Sequence, residues 1–128
     1  MLAGAARGQT NQEIAAALGI KRATVSSTLL RAGRILGTGS RAGMVHRAYA
    51  SGVLSGLTPE TRPPFHLSRA QTAVLSGLAN GSSAREIADT LAVSENTVKT
   101  HLRKLFTALG AASRSHAVAL AWQHGLLQ

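Results

Sequence analysis

The chain has 128 residues, enough for one ordinary domain or two very small ones, and Lys and Arg outnumber Asp and Glu by 14 to 5. Its four aromatic residues are too few for a platform that stacks single-stranded nucleic acid, and the absence of cysteine excludes disulfides and the usual zinc sites. Without an apolar run of roughly 20 residues or a secretory signal at residues 1–7, the sequence predicts a soluble, cytoplasmic protein, and its charge of +9 predicts a polyanionic partner.

Two parts of the chain have similar sequences. With an offset of 73, residues 8–54 align with residues 81–127 without a gap, and 16 of the 47 pairs are identical. The identities are grouped, as where Glu13-Ile14-Ala15 meets Glu86-Ile87-Ala88. Chance matching of two Ala-rich helical segments would scatter them, so the pattern indicates a tandem duplication.

The three prolines lie within six residues, at Pro59, Pro63 and Pro64. Proline lacks a backbone donor and restricts the residue before it, so a helix cannot continue through this stretch. The sequence on either side is rich in Ala and Leu, which favours helix. We therefore predict an N-terminal half, a linker and a C-terminal half, which are residues 1–56, 57–66 and 67–128.

The N-terminal half begins partway into its expected first helix. Alignment of Leu2 with Leu75 leaves residues 68–72 of the C-terminal half without counterparts. Four short helices in about 60 residues bury only a marginal core. We therefore expect the N-terminal half not to be stable alone.

The C-terminal half is predicted to contain four helices. Serines stand at the expected N-caps, and Glu86 follows Ser83 in capping-box register. Strand signals are absent from the sequence, so the predicted fold is all-α, with two tandem four-helix domains. The predicted helices run from Ser68 to Ala79, Ser83 to Leu91, Ser94 to Leu109 and Ser113 to Gly125. Along the third helix the apolar residues are spaced by four, three and four, at Val98, Leu102, Leu105 and Leu109.

Both halves contain a short helix, a tight turn and a longer helix, the order of a helix-turn-helix. This motif needs a small residue where the helices cross, then a small residue and a buried apolar residue in the turn. The second helix must also supply a residue that fills the gap between the helices. The crossing residues of the N-terminal and C-terminal halves are Ala15 and Ala88. The small turn residues are Gly19 and Ala92, the apolar turn residues are Ile20 and Val93, and the residues that fill the gap are Val25 and Val98.

A longer pattern extends through the C-terminal half, from Leu67 to His101 and Trp122. It includes Gly81-Ser-Ser-Ala-Arg-Glu-Ile-Ala, Ser94-Glu-Asn-Thr-Val-Lys-Thr-His, Leu109-Gly and Ser113-Arg. On these residues the half resembles the LuxR/FixJ-type (GerE-type) helix-turn-helix DNA-binding domain, and the N-terminal half is a divergent, shortened match. The resemblance implies a third helix in the DNA major groove and a fourth helix that mediates dimerisation, usually as the output of a transcription regulator.

The third helix of the C-terminal half has a polar and basic face. Lys99 and Arg103 are four residues apart, as are Thr100 and Lys104, away from the apolar stripe. Such a face suits guanine edges and phosphates. The resemblance implies base contacts by Lys99, Thr100 and Arg103. It implies phosphate contacts by Ser83, Arg85, Thr97, His101 and Lys104.

The N-terminal half departs from the pattern at the base-contacting positions, which hold Ser26, Ser27 and Leu30. It is nevertheless the more cationic half. Residues 1–54 carry seven basic residues and one acid, against six and three in residues 67–128. The net charge is therefore larger in the N-terminal half, whereas the side chains predicted to contact bases lie in the C-terminal half.

The cations of the N-terminal third helix leave three interpretations open. Lys21, Arg22 and Arg31 could contact phosphates with little base readout. Alternatively, this helix recognises a different sequence through Lys21, Arg22 and Ser26. The third interpretation is a degenerate copy that is retained for packing.

Small residues of the two fourth helices predict a packing surface. We expect the helices to pack either within one chain, as a pseudo-dimer, or between two chains, as a homodimer. The alternative is that these residues only close the core of their own domain, which is the expected role of Tyr49 and Trp122. The predicted packing residues are Met44, Val45, Ala48, Ala117 and Ala121.

No constellation of residues predicts an enzyme, a cofactor or a metal site. The five histidines are scattered, the five acids form no expected catalytic pair, and no Gly-rich loop follows a strand. We predict a sequence-specific, double-stranded DNA-binding transcription regulator, associated with the nucleoid and not with a membrane. The alternatives are an architectural DNA binder with little sequence preference, and a helix-turn-helix module that docks a protein such as RNA polymerase.

Overall fold

The computed structural model describes residues 1–62 and 66–127. Within each half these residues form helices joined by short turns, and the described chain contains no β-strand, which confirms the predicted all-α fold. The described residues of the expected linker contain no helix, and Pro63 and Pro64 lie outside the described residues. The helices are α1 (Leu2–Ala6), α2 (Asn11–Leu18), α3 (Arg22–Leu36), α4 (Arg41–Ala50), α5 (Arg69–Ala79), α6 (Ala84–Leu91), α7 (Glu95–Leu109) and α8 (Arg114–Gln123).

The helices of the C-terminal half begin where the serine caps predict. The hydroxyl of Ser83 accepts a hydrogen bond from the Glu86 backbone N–H at 3.2 Å, and the Ser83 N–H donates to the Glu86 carboxylate at 2.9 Å. The Ser83 N–H first, and the Ser83 hydroxyl second, hydrogen-bond the Glu86 carboxyl and hold its pKa below the ordinary value. Ser68 caps α5 with the same pair of bonds to Gln71, and the Ser94 hydroxyl caps α7 by accepting from the Thr97 N–H. Local hydrogen bonding therefore fixes the first turn of each of these helices.

The turn between α6 and α7 depends on a left-handed residue. Ala92 has a φ of 56° and is the one non-glycine residue with positive φ in the described chain. The equivalent turn between α2 and α3 has Gly19, with a φ of 67°. The crossing residues Ala15 and Ala88 are buried, as predicted. Val25 and Val98, predicted to fill the gap between the helices, are fully buried.

The predicted burial of the apolar turn residue is wrong in both halves. Ile20 is 37% exposed and Val93 is 40% exposed. The backbone closes the turn instead, because the Val93 N–H donates to the Ala88 carbonyl at 3.1 Å and the Ile20 N–H donates to the Ala15 carbonyl at 3.0 Å. These bonds satisfy carbonyl groups at the end of the preceding helix, and the side chains of Ile20 and Val93 remain partly exposed to solvent.

The larger of the two hydrophobic clusters in the described chain contains residues of both halves. Helix α1 has only five residues, against eleven in α5. The core that belongs to the N-terminal half alone consists of Ile14, Ala15, Val25 and Leu29, while Ala5 and Ala6 join the larger cluster of the C-terminal half. In the same region the Ser115 hydroxyl donates to the Ala5 carbonyl at 3.0 Å.

The most extensive contact between helices joins α4 and α8. The small residues named as packing residues from the sequence, Met44, Val45, Ala48, Ala117 and Ala121, are all buried.

The expectation that Tyr49 and Trp122 close separate cores is wrong. Their rings stack on each other across the two halves, with centroids 5.8 Å apart and planes 8° apart. The Trp122 indole N–H donates to His46 Nδ1 at 2.8 Å. The amide of Gln123 donates to the Tyr49 hydroxyl at 2.9 Å. Aromatic stacking and directed hydrogen bonds therefore accompany the contact between α4 and α8.

His46 accepts the indole hydrogen bond only while Nδ1 carries no proton. Burial first, and the neighbouring Arg47 second, lower the pKa of His46. The unfolded chain therefore takes up a proton on His46 at a higher pH than the folded protein does. Lowering the pH through about 6.5 should then favour the unfolded state.

We predict that the free energy of unfolding falls between about pH 7.5 and pH 5.5, and that His46→Gln makes this fall smaller. The measurement is urea unfolding followed by the fluorescence of Trp122, the sole tryptophan. Because the other histidines remain in both proteins, the difference between the two pH profiles isolates His46. Parallel profiles would contradict the prediction.

We also predict that residues 1–56 alone do not unfold cooperatively, because α1 and α4 lose the surface of α8. Residues 57–128 should retain a cooperative transition, since α5 to α8 supply most of the larger core. Circular dichroism during thermal unfolding checks both fragments. A cooperative transition of the shorter fragment would show that its own core suffices.

Candidate nucleic-acid interface

The two sides of α7 differ sharply in chemistry. Val98, Leu102, Leu105 and Leu109 are buried, as the spacing predicts. Lys99, Arg103 and Lys104 are exposed on the remaining surface, and Thr100 is half-buried among them. Burial of the apolar stripe therefore orients the basic side chains towards solvent.

The basic side chains of α7 are available to a ligand. Within the described chain, the side chains of Lys99, Arg103 and Lys104 form no hydrogen bond or ion pair. Both ion pairs of the described residues, with Arg7 and with Arg62, involve Glu60, which lies in the expected linker. The charge of this face is therefore not neutralised by ion pairing within the protein.

Two hydroxyls on α7 already have local partners. Thr100 donates to the Asn96 carbonyl at 3.1 Å, so its oxygen remains free only as an acceptor. The Thr97 hydroxyl lies 2.8 Å from the Ser94 hydroxyl, which caps the helix. In this arrangement Thr100 suits a base edge that presents a donor, such as the amino group of adenine or cytosine.

The remaining predicted phosphate contacts lie on two helices. Ser83 and Arg85 are exposed at the start of α6, where backbone N–H groups and the helix dipole favour an anion. His101 is half-buried on α7. Ser83 already accepts one hydrogen bond as the cap of α6, so its hydroxyl proton is its remaining donor.

A groove of about 540 Å³ adjoins the basic face of α7. It brings together Thr100, Arg103 and Lys104, and it adds Gln71 and Thr107, which the sequence did not identify. Thr107 lies one turn beyond Arg103, so the spacing of the helix could have indicated it. Gln71 belongs to α5 and enters the groove only through tertiary packing.

The equivalent surface of α3 is different. Ser26, at the position of Lys99, accepts a hydrogen bond from the Asn11 amide at 3.1 Å. The Asn11 carbonyl oxygen in turn accepts from Arg41. Leu30, at the position of Arg103, is 60% exposed and offers no hydrogen-bonding group. At the positions predicted to contact bases, α3 therefore lacks the basic side chains that α7 has.

Cations nevertheless surround α3. Lys21, Arg22 and Arg31 are exposed, and none pairs with an acid in the described part of the chain. Lys21 stands at the N-cap of α3 without a side-chain capping bond, where Ser94 caps α7. This surface suits phosphate oxygens better than base edges.

Other kinds of site find no support in the residues that the structure describes. No group of three or more His, Cys, Asp or Glu residues within residues 1–62 and 66–127 could hold a metal ion. Over the same described ranges, no helix is both long and apolar enough to cross a membrane.

The fold and its unpaired basic helix define a helix-turn-helix protein. The family model described as bacterial regulatory proteins, luxR family, matches residues 1–48 and 66–121. The chain belongs to this family. Both matched segments contain the short helix, tight turn and longer helix of the motif.

Several relatives are transcriptional regulators by name. YhcZ of Bacillus subtilis is 41% identical over 68 residues, which cover 53% of this chain and 32% of YhcZ. YdfI of the same organism is 43% identical over 66 residues, covering 52% of this chain and 31% of YdfI. The probable regulator GfsR of Streptomyces halstedii is 37% identical over 78 residues, covering 61% of this chain and 32% of GfsR.

The chain thus spans about a third of the length of these relatives. No solved structure matches the chain significantly.

Proposed function

We propose that the protein is a sequence-specific, double-stranded DNA-binding transcription regulator, with α7 in the major groove. The observation that carries this proposal is the exposed, unpaired Lys99 and Arg103 on the side of α7 opposite its buried stripe. Membership of the luxR family and the names of the relatives support it. Such a protein would act in the cytoplasm, on the nucleoid, and needs no cofactor or catalytic residue.

The contacts follow from the chemistry of each side chain. Lys99 and Arg103 donate to base edges, Arg103 with the geometry to bind guanine in bidentate fashion. Thr100 accepts from a base amino group. Ser83, Arg85, Thr97, His101 and Lys104 bind phosphates. The phosphate contacts fix the register of α7, and the base contacts supply specificity.

The two halves would act as a pseudo-dimer. We propose a divergent, shortened domain at residues 1–56, a linker at 57–66 and a complete domain at 67–128. The packing of α4 against α8 supports this arrangement, because it uses the surface that a homodimer would need. In this proposal α3 contacts phosphates through Lys21, Arg22 and Arg31.

A second candidate function concerns the N-terminal half. Leu30 is 60% exposed and Ile35 is 81% exposed on α3, which favours a protein partner, such as RNA polymerase, for this surface. If the chain docks a protein instead of DNA, it should bind no duplex even at low salt. An architectural DNA binder would show a steep salt dependence and no gain for a selected site.

We predict that Lys99→Ala or Arg103→Ala weakens binding to a selected site by roughly tenfold, and relaxes specificity at one base pair, because each removes a base contact worth about 1–3 kcal/mol. Site selection from random duplexes, followed by fluorescence anisotropy at fixed salt, measures both effects. Ser26→Ala and Leu30→Ala, at the equivalent positions of α3, are the matched controls. Wild-type affinity and specificity of both α7 variants would refute the role of α7.

We further predict a strict monomer on and off DNA, because α4 and α8 cover each other within one chain. Sedimentation velocity over a range of concentrations, with and without the selected duplex, measures this. A complex of two chains on one duplex would instead indicate a homodimer through another surface.

A further inference from the structure

Residues 58–62 of the linker lie against both halves. Arg7, just after α1, donates to the Thr58 carbonyl at 2.8 Å. The Glu60 backbone N–H donates to the Gln123 side chain at the end of α8, at 2.9 Å. The linker is therefore hydrogen-bonded to the residue that follows the first helix of one half and to the last helix of the other.

The carboxylate of Glu60 is the centre of an ionic cluster. Its Oε2 lies 2.8 Å from His116 Nε2 on α8 and 3.9 Å from Arg7. Its Oε1 lies 3.5 Å from Arg62. His116 is buried, and its Nδ1 accepts from the Ala112 N–H at 3.0 Å. The ring proton therefore belongs on Nε2, which donates to Glu60. We call these four residues the Glu60 cluster: Arg7, Glu60, Arg62 and His116.

Arg62 connects the Glu60 cluster to the proposed recognition helix. Its Nε donates to the Leu109 carbonyl at 3.2 Å, and its Nη2 donates to the Gly110 carbonyl at 3.3 Å. These carbonyls lie at the C-terminal end of α7, where the helix leaves acceptors without an intrahelical partner and its dipole is negative. A cation at this end holds α7 without occupying its basic face.

We propose that Glu60 and Arg62 are positioning residues that fix α7 relative to the N-terminal half, and so set the spacing between the two DNA segments that α3 and α7 contact. This proposal rests on the proposed function for its DNA part. The contact between α4 and α8 combines small apolar side chains, which attract without direction, with the hydrogen bonds from Trp122 to His46 and from Gln123 to Tyr49. The Glu60 cluster adds contacts at other places, to the residue after α1 and to the C-terminal end of α7. The bonds of the Glu60 cluster are directional and oppose rotation of one half against the other.

The first test measures the arrangement of the halves without DNA. The protein has no cysteine, so Ala17→Cys on α2 and Thr90→Cys on α6, at equivalent exposed positions, accept two spin labels. We expect Glu60→Ala to broaden the distance distribution between the labels. Asp89→Asn, which removes an exposed carboxylate that forms no hydrogen bond or ion pair, should leave it unchanged. A distribution as narrow as in the wild type would overturn the proposal.

The second test uses DNA. Glu60→Ala should lower the affinity for the selected site at least about tenfold, since loosely joined halves bind with a lower effective concentration. Affinity for a shortened duplex that holds only the α7 segment should not change. An equal loss on both duplexes would show that Glu60 merely supports the fold, and would overturn the positioning role.

A milder variant covers the case in which Glu60→Ala does not fold. Glu60→Gln keeps an acceptor for His116 but loses the charge that faces Arg7 and Arg62. It should give an intermediate broadening, and an unchanged distribution would count against the proposal. If the wild type binds no duplex, the proposed function fails, while the label distances still decide whether the cluster orients the halves.

Discussion

The packing of α4 against α8 is the contact on which the rest of the molecule depends. The N-terminal half has a first helix of five residues and a separate core of four buried side chains, too little apolar area to stabilise a domain. Contact with α8 brings Ala5, Ala6, Val45 and Ala48 into the larger core. The same contact fixes the position of α3 relative to α7. The stability of the protein and the geometry of the candidate interface therefore depend on the same packing.

The charge of the protein is arranged around this core. Glu60 makes all the ion pairs found in the described part of the chain, which leaves the cations of α3 and α7 without acidic partners. A cationic surface of this kind attracts a polyanion at long range and accelerates encounter, whatever the sequence of the DNA. Specificity needs donors directed at base edges. Under the proposed function, Lys99 and Arg103 of α7 supply these donors, while the more cationic half does not.

Local signals predicted the helices of the C-terminal half closely. Ser83 with Glu86, the spacing of Val98 and Leu102, and Gly110 all act within a few residues, so the sequence contains the full signal. Contacts between distant segments could not be predicted. Tyr49 and Trp122 were expected in separate cores because their partners depend on how the halves meet. Glu60 and Arg62 cancel in the net charge of the linker, and only tertiary structure reveals that they bond to both halves. Whether Lys99 and Arg103 contact bases stays a prediction.

Two similar halves in one chain remove a constraint that a homodimer obeys. In a homodimer every substitution changes both recognition helices, so both half-sites must keep the same sequence. Here Lys99 and Arg103 remain free on α7, whereas Ser26 of α3 is bound to Asn11, which is bound to Arg41. Ser26 thus takes part in a hydrogen-bond chain within its own half, whereas Lys99 and Arg103 stay available. Under the proposed function, the DNA target therefore has two unequal parts and need not be a palindrome.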